Sequence, residues 1–62
     1  MTDPSDDRIR KLRHDLANPL SAVLAETQLL LMNAADYDHE TVESLREIES
    51  LSRRMREILE GI

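Results

Sequence analysis

Apolar residues recur every three or four positions along two segments of the chain, a spacing that predicts two amphipathic helices. Polar Thr27 and Ser52 occupy two positions of the pattern. The stripe of the first segment is Ile9, Leu12, Leu16, Leu20, Val23, Thr27 and Leu30. The stripe of the second is Leu45, Ile48, Ser52, Met55 and Leu59, widened by Val42, Leu51 and Ile58. Because Asp3 and Asp38 are suitable N-caps, we predict helices over about residues 4–33 and 39–60, with a loop over about 34–38.

The width of these stripes indicates that the chain assembles with a second copy. Two helices joined by a short loop lie antiparallel, and a lone hairpin leaves much of both stripes in water. With 62 residues and no cysteine, the chain is a single domain over 1–62 that has neither a large core nor disulfides. The predicted fold is therefore all-α: an antiparallel two-helix hairpin assembling as a homodimeric four-helix bundle.

The charge of the chain argues against several function classes. A formal net charge of −5 disfavours nonspecific binding to nucleic acid or to an anionic membrane. No apolar run approaches the ~20 residues that span a bilayer, and the acidic start is unlike a signal peptide, so we expect a cytoplasmic segment without membrane contact. Two distant histidines without cysteine predict no metal site.

The stretch RHDLANPLSA, residues 13–22, is unusual for a helix surface. At about 100° per residue, His14 points almost directly away from the apolar stripe, which predicts an exposed ring. Asp15 is adjacent, and Asn18 lies one turn on, on the same face. Pro19 removes a helix hydrogen bond at a cost of roughly 3 kcal/mol, so it predicts a bend in the first helix just after His14.

The surface beside His14 carries small, uncharged side chains, and two interpretations stay open: the pattern permits close approach by another protein, or alanine is present only because it favours helix. These side chains are Ala17, Ser21, Ala22 and Ala25. Basic residues precede the histidine, and two interpretations of them stay open: they attract phosphate or an acidic partner, or they form a solvated face. These are Arg8, Arg10, Lys11 and Arg13.

The heptapeptide HDLANPL, residues 14–20, resembles the H-box of sensor histidine kinases of two-component systems. His, an acid, Leu, a polar residue at the fourth position after His, Pro and Leu follow in the order of that motif. The helix-loop-helix layout is likewise similar to the family's dimerisation and histidine phosphotransfer domain. The resemblance implies that His14 accepts phosphate from ATP and passes it to an aspartate of a response regulator receiver domain.

The resemblance also implies roles for the neighbours of His14. Asp15 would accept a hydrogen bond from the ring N–H, and Asn18 would orient water for hydrolysis of a partner's aspartyl phosphate. Pro19 would bend the helix as the domain changes state, and the small-residue surface would receive the receiver domain. The motifs of the family's ATP-binding domain are absent, so we expect ATP-Mg to be held by a separate domain. The chain itself is expected to bind no cofactor and to be an incomplete enzyme alone.

Two other function classes compete with a phosphoacceptor domain. A nonenzymatic dimerisation or adaptor hairpin needs only the amphipathic pattern, and a buried or unreactive His14 would favour it. An RNA-binding hairpin dimer of the Rop type has a similar size and layout, but it needs a local basic stripe on this acidic chain.

Overall fold

The computed structural model describes residues 3–62, which form two antiparallel helices and a short connection. Helix α1 spans Pro4–Leu31, a 3₁₀ turn spans Ala34–Asp36, and helix α2 spans His39–Glu60. No strand occurs within the described residues, and the predicted all-α hairpin is confirmed. Residues 1 and 2 of the predicted domain lie outside the described part of the chain. Neither helix is long and apolar enough, over residues 3–62, to cross a membrane.

Both helices begin at the predicted capping residues. The Ser5 backbone N–H donates to Asp3 Oδ1 over 3.1 Å, and the Thr41 N–H donates to Asp38 Oδ1 over 2.9 Å. Each aspartate thus satisfies a backbone donor that the first turn of its helix leaves without a partner. Pro4 follows the first cap, at a position where the missing N–H of proline costs no helix hydrogen bond.

Helix α1 ends at Leu31, two residues before the predicted end near residue 33. The Met32 N–H is shared among carbonyls of the last turn, and the Asn33 N–H donates to the Leu30 carbonyl over 3.0 Å. These bonds tighten the helix end into a turn that leads to the 3₁₀ segment. No glycine marks this terminus, so the sequence carried little signal for it.

The two helices pack along a narrow line that we call the inner seam. It consists of the buried and half-buried residues Arg13, Ala17, Leu20, Leu24, Thr27 and Leu31 on α1 and Val42, Leu45, Glu49, Ser52 and Leu59 on α2. Its centre on α1 is rotated by about 60° from the centre of the predicted apolar stripe, at about 100° per residue. Leu24, outside the predicted stripe, is one of only two buried apolar residues among those described; the other is Leu20.

Most of the predicted stripe is instead exposed on the side of the hairpin next to the inner seam. This outer apolar face consists of Ile9, Leu12, Leu16, Val23 and Leu30 on α1 and Ile48, Leu51, Met55 and Ile58 on α2, each 42–59% exposed. The face is continuous across both helices, since Leu16, Met55 and Ile58 line one apolar depression together with two residues of the inner seam. Such an extended apolar surface is typical of a protein interface.

Candidate functional site

His14 lies in the N-terminal half of α1 with its side chain 74% exposed, so the predicted exposure is confirmed. The predicted direction is wrong. At about 100° per residue, His14 lies about 100° around α1 from the centre of the inner seam, not opposite it. Because the seam is rotated toward the histidine, the ring stands at the rim of the groove between the helices.

The groove beside His14 has a volume of about 480 Å³ and receives side chains from both helices. Its lining, which defines the His14 groove, is Arg10, Arg13, His14, Ala17, Ser21, Arg56, Leu59 and Glu60. Ala17 is half-buried, because it belongs to the inner seam as well. It therefore lies deep between the helices, whereas the other small residues predicted for partner docking, Ser21, Ala22 and Ala25, are exposed.

Asp15 is hydrogen-bonded to a lysine and not to the histidine. Lys11 Nζ donates to Asp15 Oδ2 over 2.6 Å, one helical turn away. His14 Nδ1 is 3.9 Å from Asp15 Oδ1, which is too long for a hydrogen bond. In this conformation Asp15 does not orient the ring as the resemblance implies. The Nδ1 atom nevertheless lies on the side of Asp15, which leaves Nε2 at the outer tip of the exposed ring.

The Lys11–Asp15 pair favours the charged forms of both side chains. The hydrogen bond from Lys11, and then its positive charge, lower the pKa of Asp15 below the usual value of a carboxyl group. The same hydrogen bond raises the pKa of Lys11. Asp15 is thus a carboxylate at neutral pH, the form that can accept a hydrogen bond from an imidazole N–H.

Asn18 and Pro19 occupy the turn of α1 that follows His14. Both residues are exposed, and the Asn18 side chain makes no hydrogen bond within residues 3–62, so its amide can meet a partner or water. Helix α1 continues without interruption through Pro19. Since proline has no N–H, the Asp15 carbonyl lacks its usual donor in the helix. The bend at Pro19 stays a prediction.

The exposed small residues predicted beside His14, Ser21, Ala22 and Ala25, form a surface that we call the uncharged strip. This strip extends further than the sequence pattern suggested. Leu29 and Met32 are 55% and 80% exposed, and by helical spacing they continue the face of Ser21 and Ala25 toward the connection. We did not predict these two residues as part of a site. Their positions outside the apolar stripe, in a segment with Glu26 as the only charge from Leu16 to Asn33, were the available signal.

Sequence reasoning also missed the α2 side of the His14 groove. Arg56, Leu59 and Glu60 are more than 40 residues from His14 along the chain, and only the pairing of the helices brings them there. Among residues 3–62, no three His, Asp or Glu side chains converge as ligands for a metal ion. The candidate site is therefore a helix surface with an exposed histidine beside a groove rich in arginine.

A family model described as the His Kinase A (phospho-acceptor) domain matches residues 6–62, almost the whole chain. The chain belongs to this family. No curated protein and no solved structure gives a significant match to it. The helical hairpin is the fold of a His kinase A domain, and His14 occupies the exposed position in α1 at which the H-box resemblance places the phosphoacceptor.

Membership of the His kinase A family assigns the chain to histidine kinases and two-component signalling, with a phosphoacceptor and dimerisation role. That assignment favours the first of the three function classes considered from the sequence. Exposure of His14 agrees with it, since a nonenzymatic adaptor was to be preferred if the ring were buried. The domain carries His14 on a helix that continues without interruption on both sides of it.

Proposed function

We propose that His14 takes the γ-phosphoryl group of ATP-Mg bound by a separate ATP-binding domain and transfers it to an aspartate of a response regulator receiver domain. The observation that carries the proposal is the family match over residues 6–62, within which the histidine of the H-box resemblance is exposed on helix α1. An exposed nucleophile gives in-line access to two different partners in turn. The chain itself holds no cofactor in this scheme, and ATP as donor places the reaction in the cytoplasm.

The first transfer is a displacement at phosphorus by the ring. The Nε2 lone pair forms a bond to the γ-phosphorus while the bond from phosphorus to the bridging oxygen breaks, and ADP leaves with that electron pair. In the second transfer a receiver carboxylate oxygen attacks the same phosphorus. The P–N bond then breaks and its electron pair returns to the ring. A neutral imidazole with its proton on Nδ1 is the reactive form, because Nε2 is then unprotonated.

Asp15 accepts a hydrogen bond from Nδ1–H in this mechanism, and Lys11 competes with the ring for the carboxylate. To accept from Nδ1–H, an Asp15 oxygen must close the 3.9 Å separation from the ring, which requires only side-chain rotation on an exposed surface. The carboxylate then fixes the tautomer and stabilises the positive charge that develops on the ring during attack. Before that rotation, Lys11 occupies the carboxylate through its hydrogen bond, which lowers the pKa of Asp15.

Asn18 and the uncharged strip serve the partner. The exposed Asn18 amide can donate and accept hydrogen bonds, so it orients a water molecule toward an aspartyl phosphate on a docked receiver. Ser21, Ala22 and Ala25, with Ala17 beneath them in the groove, provide a docking surface without charges that would have to be desolvated. Pro19, whose missing N–H weakens the helix after His14, permits bending between states.

The outer apolar face is the dimer interface in this proposal. A second copy of the hairpin, packed against that face in a four-helix bundle, buries the apolar residues that one chain leaves exposed. With few buried apolar side chains of its own, a single hairpin has too little core for stable folding. The net charge of the chain, −5, disfavours nucleic acid as a partner.

Phosphorylation by a supplied kinase domain tests the proposed function. We expect the chain, incubated with the ATP-binding domain of a related histidine kinase and γ-labelled ATP, to gain phosphate that is labile in acid and stable in base. A receiver domain added next should remove the label. Acid-stable label would indicate a hydroxyl acceptor, and the complete absence of label with several such domains would support an adaptor hairpin instead.

Substitutions of Asp15 and Asn18, the neighbours of His14 in the H-box, should affect different steps of phosphotransfer. Asp15→Asn removes the charge that supports the ring, so we expect phosphorylation of His14 to slow by roughly 10² or more. Asn18→Ala keeps the nucleophile and Asp15 but removes the amide that positions water. It should reduce dephosphorylation of the receiver further than it reduces forward transfer. Single-turnover labelling measures phosphorylation of His14, the gain of label by the receiver measures forward transfer, and the later loss of that label measures dephosphorylation of the receiver.

The reverse pattern would contradict these assignments. If Asn18→Ala slowed labelling of His14 as severely as Asp15→Asn and spared receiver dephosphorylation, the roles of the two residues would be wrong, even with His14 as the acceptor. Ser50→Ala is a suitable control, because Ser50 is an exposed polar residue of α2 outside the His14 groove.

A further inference from the structure

Three arginines and one glutamate line the His14 groove, although the chain as a whole is acidic. Arg10 precedes His14 by one turn on α1, and Arg56 reaches the groove from α2. Ala17 and Leu59 supply apolar walls between them. Positive side chains beside low-dielectric walls concentrate an anion more strongly than the same charges on an open surface.

The three arginines of the groove differ in their contacts within the chain. Arg13 is half-buried in the inner seam, and its Nη1 donates to the Ile62 main-chain oxygen over 3.2 Å. Arg10 Nη1 is 3.9 Å from Asp7 Oδ1, and Arg56 Nε is 3.9 Å from Glu60 Oε1. Both separations are too long for hydrogen bonds and both pairs are exposed, so they hold the arginines only weakly.

We infer that Arg10 and Arg56 form an anion site in the His14 groove that holds the phosphoryl group while it is transferred to His14. The inference rests on the proposed function for its biological role and deepens it by naming two positioning residues. A guanidinium group presents paired N–H donors that match two oxygens of a phosphoryl group. One arginine from each helix can hold the phosphorus beside the exposed ring and neutralise the charge on its oxygens.

A small phosphoryl donor tests this site without ATP or any kinase domain. With phosphoramidate as the probe, the ring nitrogen forms a bond to phosphorus while the P–N bond of the donor breaks, and ammonia leaves with that electron pair and takes up a proton. His39 is an internal control, since its side chain is 87% exposed and lies at the other end of the hairpin. Mass spectrometry without acid gives the labelling rate at each histidine.

We expect Arg10→Ala and Arg56→Ala each to slow labelling of His14 by about tenfold and to leave labelling of His39 unchanged. Arg56→Lys should recover part of the rate, because the charge remains and the paired donors are lost. Matched controls are Arg8→Ala on α1 and Arg54→Ala on α2, which remove the same charge outside the groove. Each should change both rates less than twofold.

Unchanged His14 labelling in Arg10→Ala and Arg56→Ala would overturn the inference, as would equal slowing by Arg54→Ala, which would indicate a long-range effect of net charge. Helical content is measured for every variant. If Arg56→Ala lost helicity, the labelling rates of Arg10→Ala and Arg56→Lys would decide whether the inference holds. Failure of ATP-dependent phosphorylation would contradict the proposed function but would leave the ratio of the two histidine rates intact. The two ideas therefore fail separately.

Discussion

His14→Gln is expected to abolish phosphorylation of the chain and to leave its fold intact. Glutamine retains size and polarity but has no imidazole nitrogen to attack phosphorus. Because the His14 side chain is 74% exposed and lies outside the inner seam, the free energy of unfolding should change by less than about 0.5 kcal/mol. Labelling by ATP with a supplied ATP-binding domain measures the first effect, and thermal unfolding followed by circular dichroism measures the second.

The other histidine provides the matched control. His39→Gln removes an exposed imidazole from the first turn of α2, where it lies 3.1 Å from Glu43 and far from the H-box. Labelling should persist in this variant. If His14→Gln retained the label and His39→Gln lost it, His39 would be the phosphoacceptor. The H-box resemblance would then not identify the site.

Leu16→Glu is expected to dissociate the proposed dimer and unfold the chain. Leu16 is 46% exposed in the single hairpin and lies at the centre of the α1 part of the outer apolar face. In the dimer, each copy would bury an unpaired carboxylate. The melting temperature should fall by about 10 °C or more, because a loss of 1 kcal/mol shifts a domain of this size by several degrees. Light scattering at micromolar concentration should no longer report twice the chain mass.

Leu29→Glu is the matched control for this prediction. Leu29 is 55% exposed, but it lies on the uncharged strip and outside the outer apolar face, so the same substitution should leave the dimer intact. Leu45→Glu tests the inner seam and should unfold the hairpin as well, since Leu45 is half-buried against α1. A wild-type chain that scattered as a monomer, with a melting temperature independent of dilution, would contradict the assembly itself.

The helices were predictable because their signals are local. Asp3 and Asp38 each accept a backbone N–H in the first turn that follows, as their positions in the sequence indicated. The end of α1 was less predictable, since Met32 and Asn33 are compatible with helix and their turn depends on how the connection closes. A side chain caps the start of each helix, whereas no side chain among residues 3–62 caps the end of α1.

The packing of the helices was only partly predictable. A sequence pattern gives the combined set of apolar positions, but it does not say which of them face the other helix of the same chain. Leu20 lies in the predicted stripe and the inner seam, whereas Leu16 is left to the outer apolar face and Leu24 was missed. The division depends on which residues of α2 stand opposite, and helical spacing alone contains no information about that.

The candidate site shows the same division. The exposure of His14 was predictable because the residue lies outside the apolar stripe of its helix. The H-box resemblance was visible because its residues are neighbours in the sequence. The bond from Lys11 to Asp15 was not predicted, although a lysine four residues before an aspartate is a common helix pair. Arg56 was beyond reach, because its place in the groove depends on the register of two helices.

The small inner core has a kinetic consequence for a signalling dimer. Only Leu20 and Leu24 are buried apolar residues in the described part of one chain, so a single hairpin without a partner has little core to keep it folded. In the proposed dimer, exchange of subunits would pass through largely unfolded chains and would proceed no faster than unfolding. A copy modified at His14 would therefore stay with its original partner for as long as the proposed dimer stays folded.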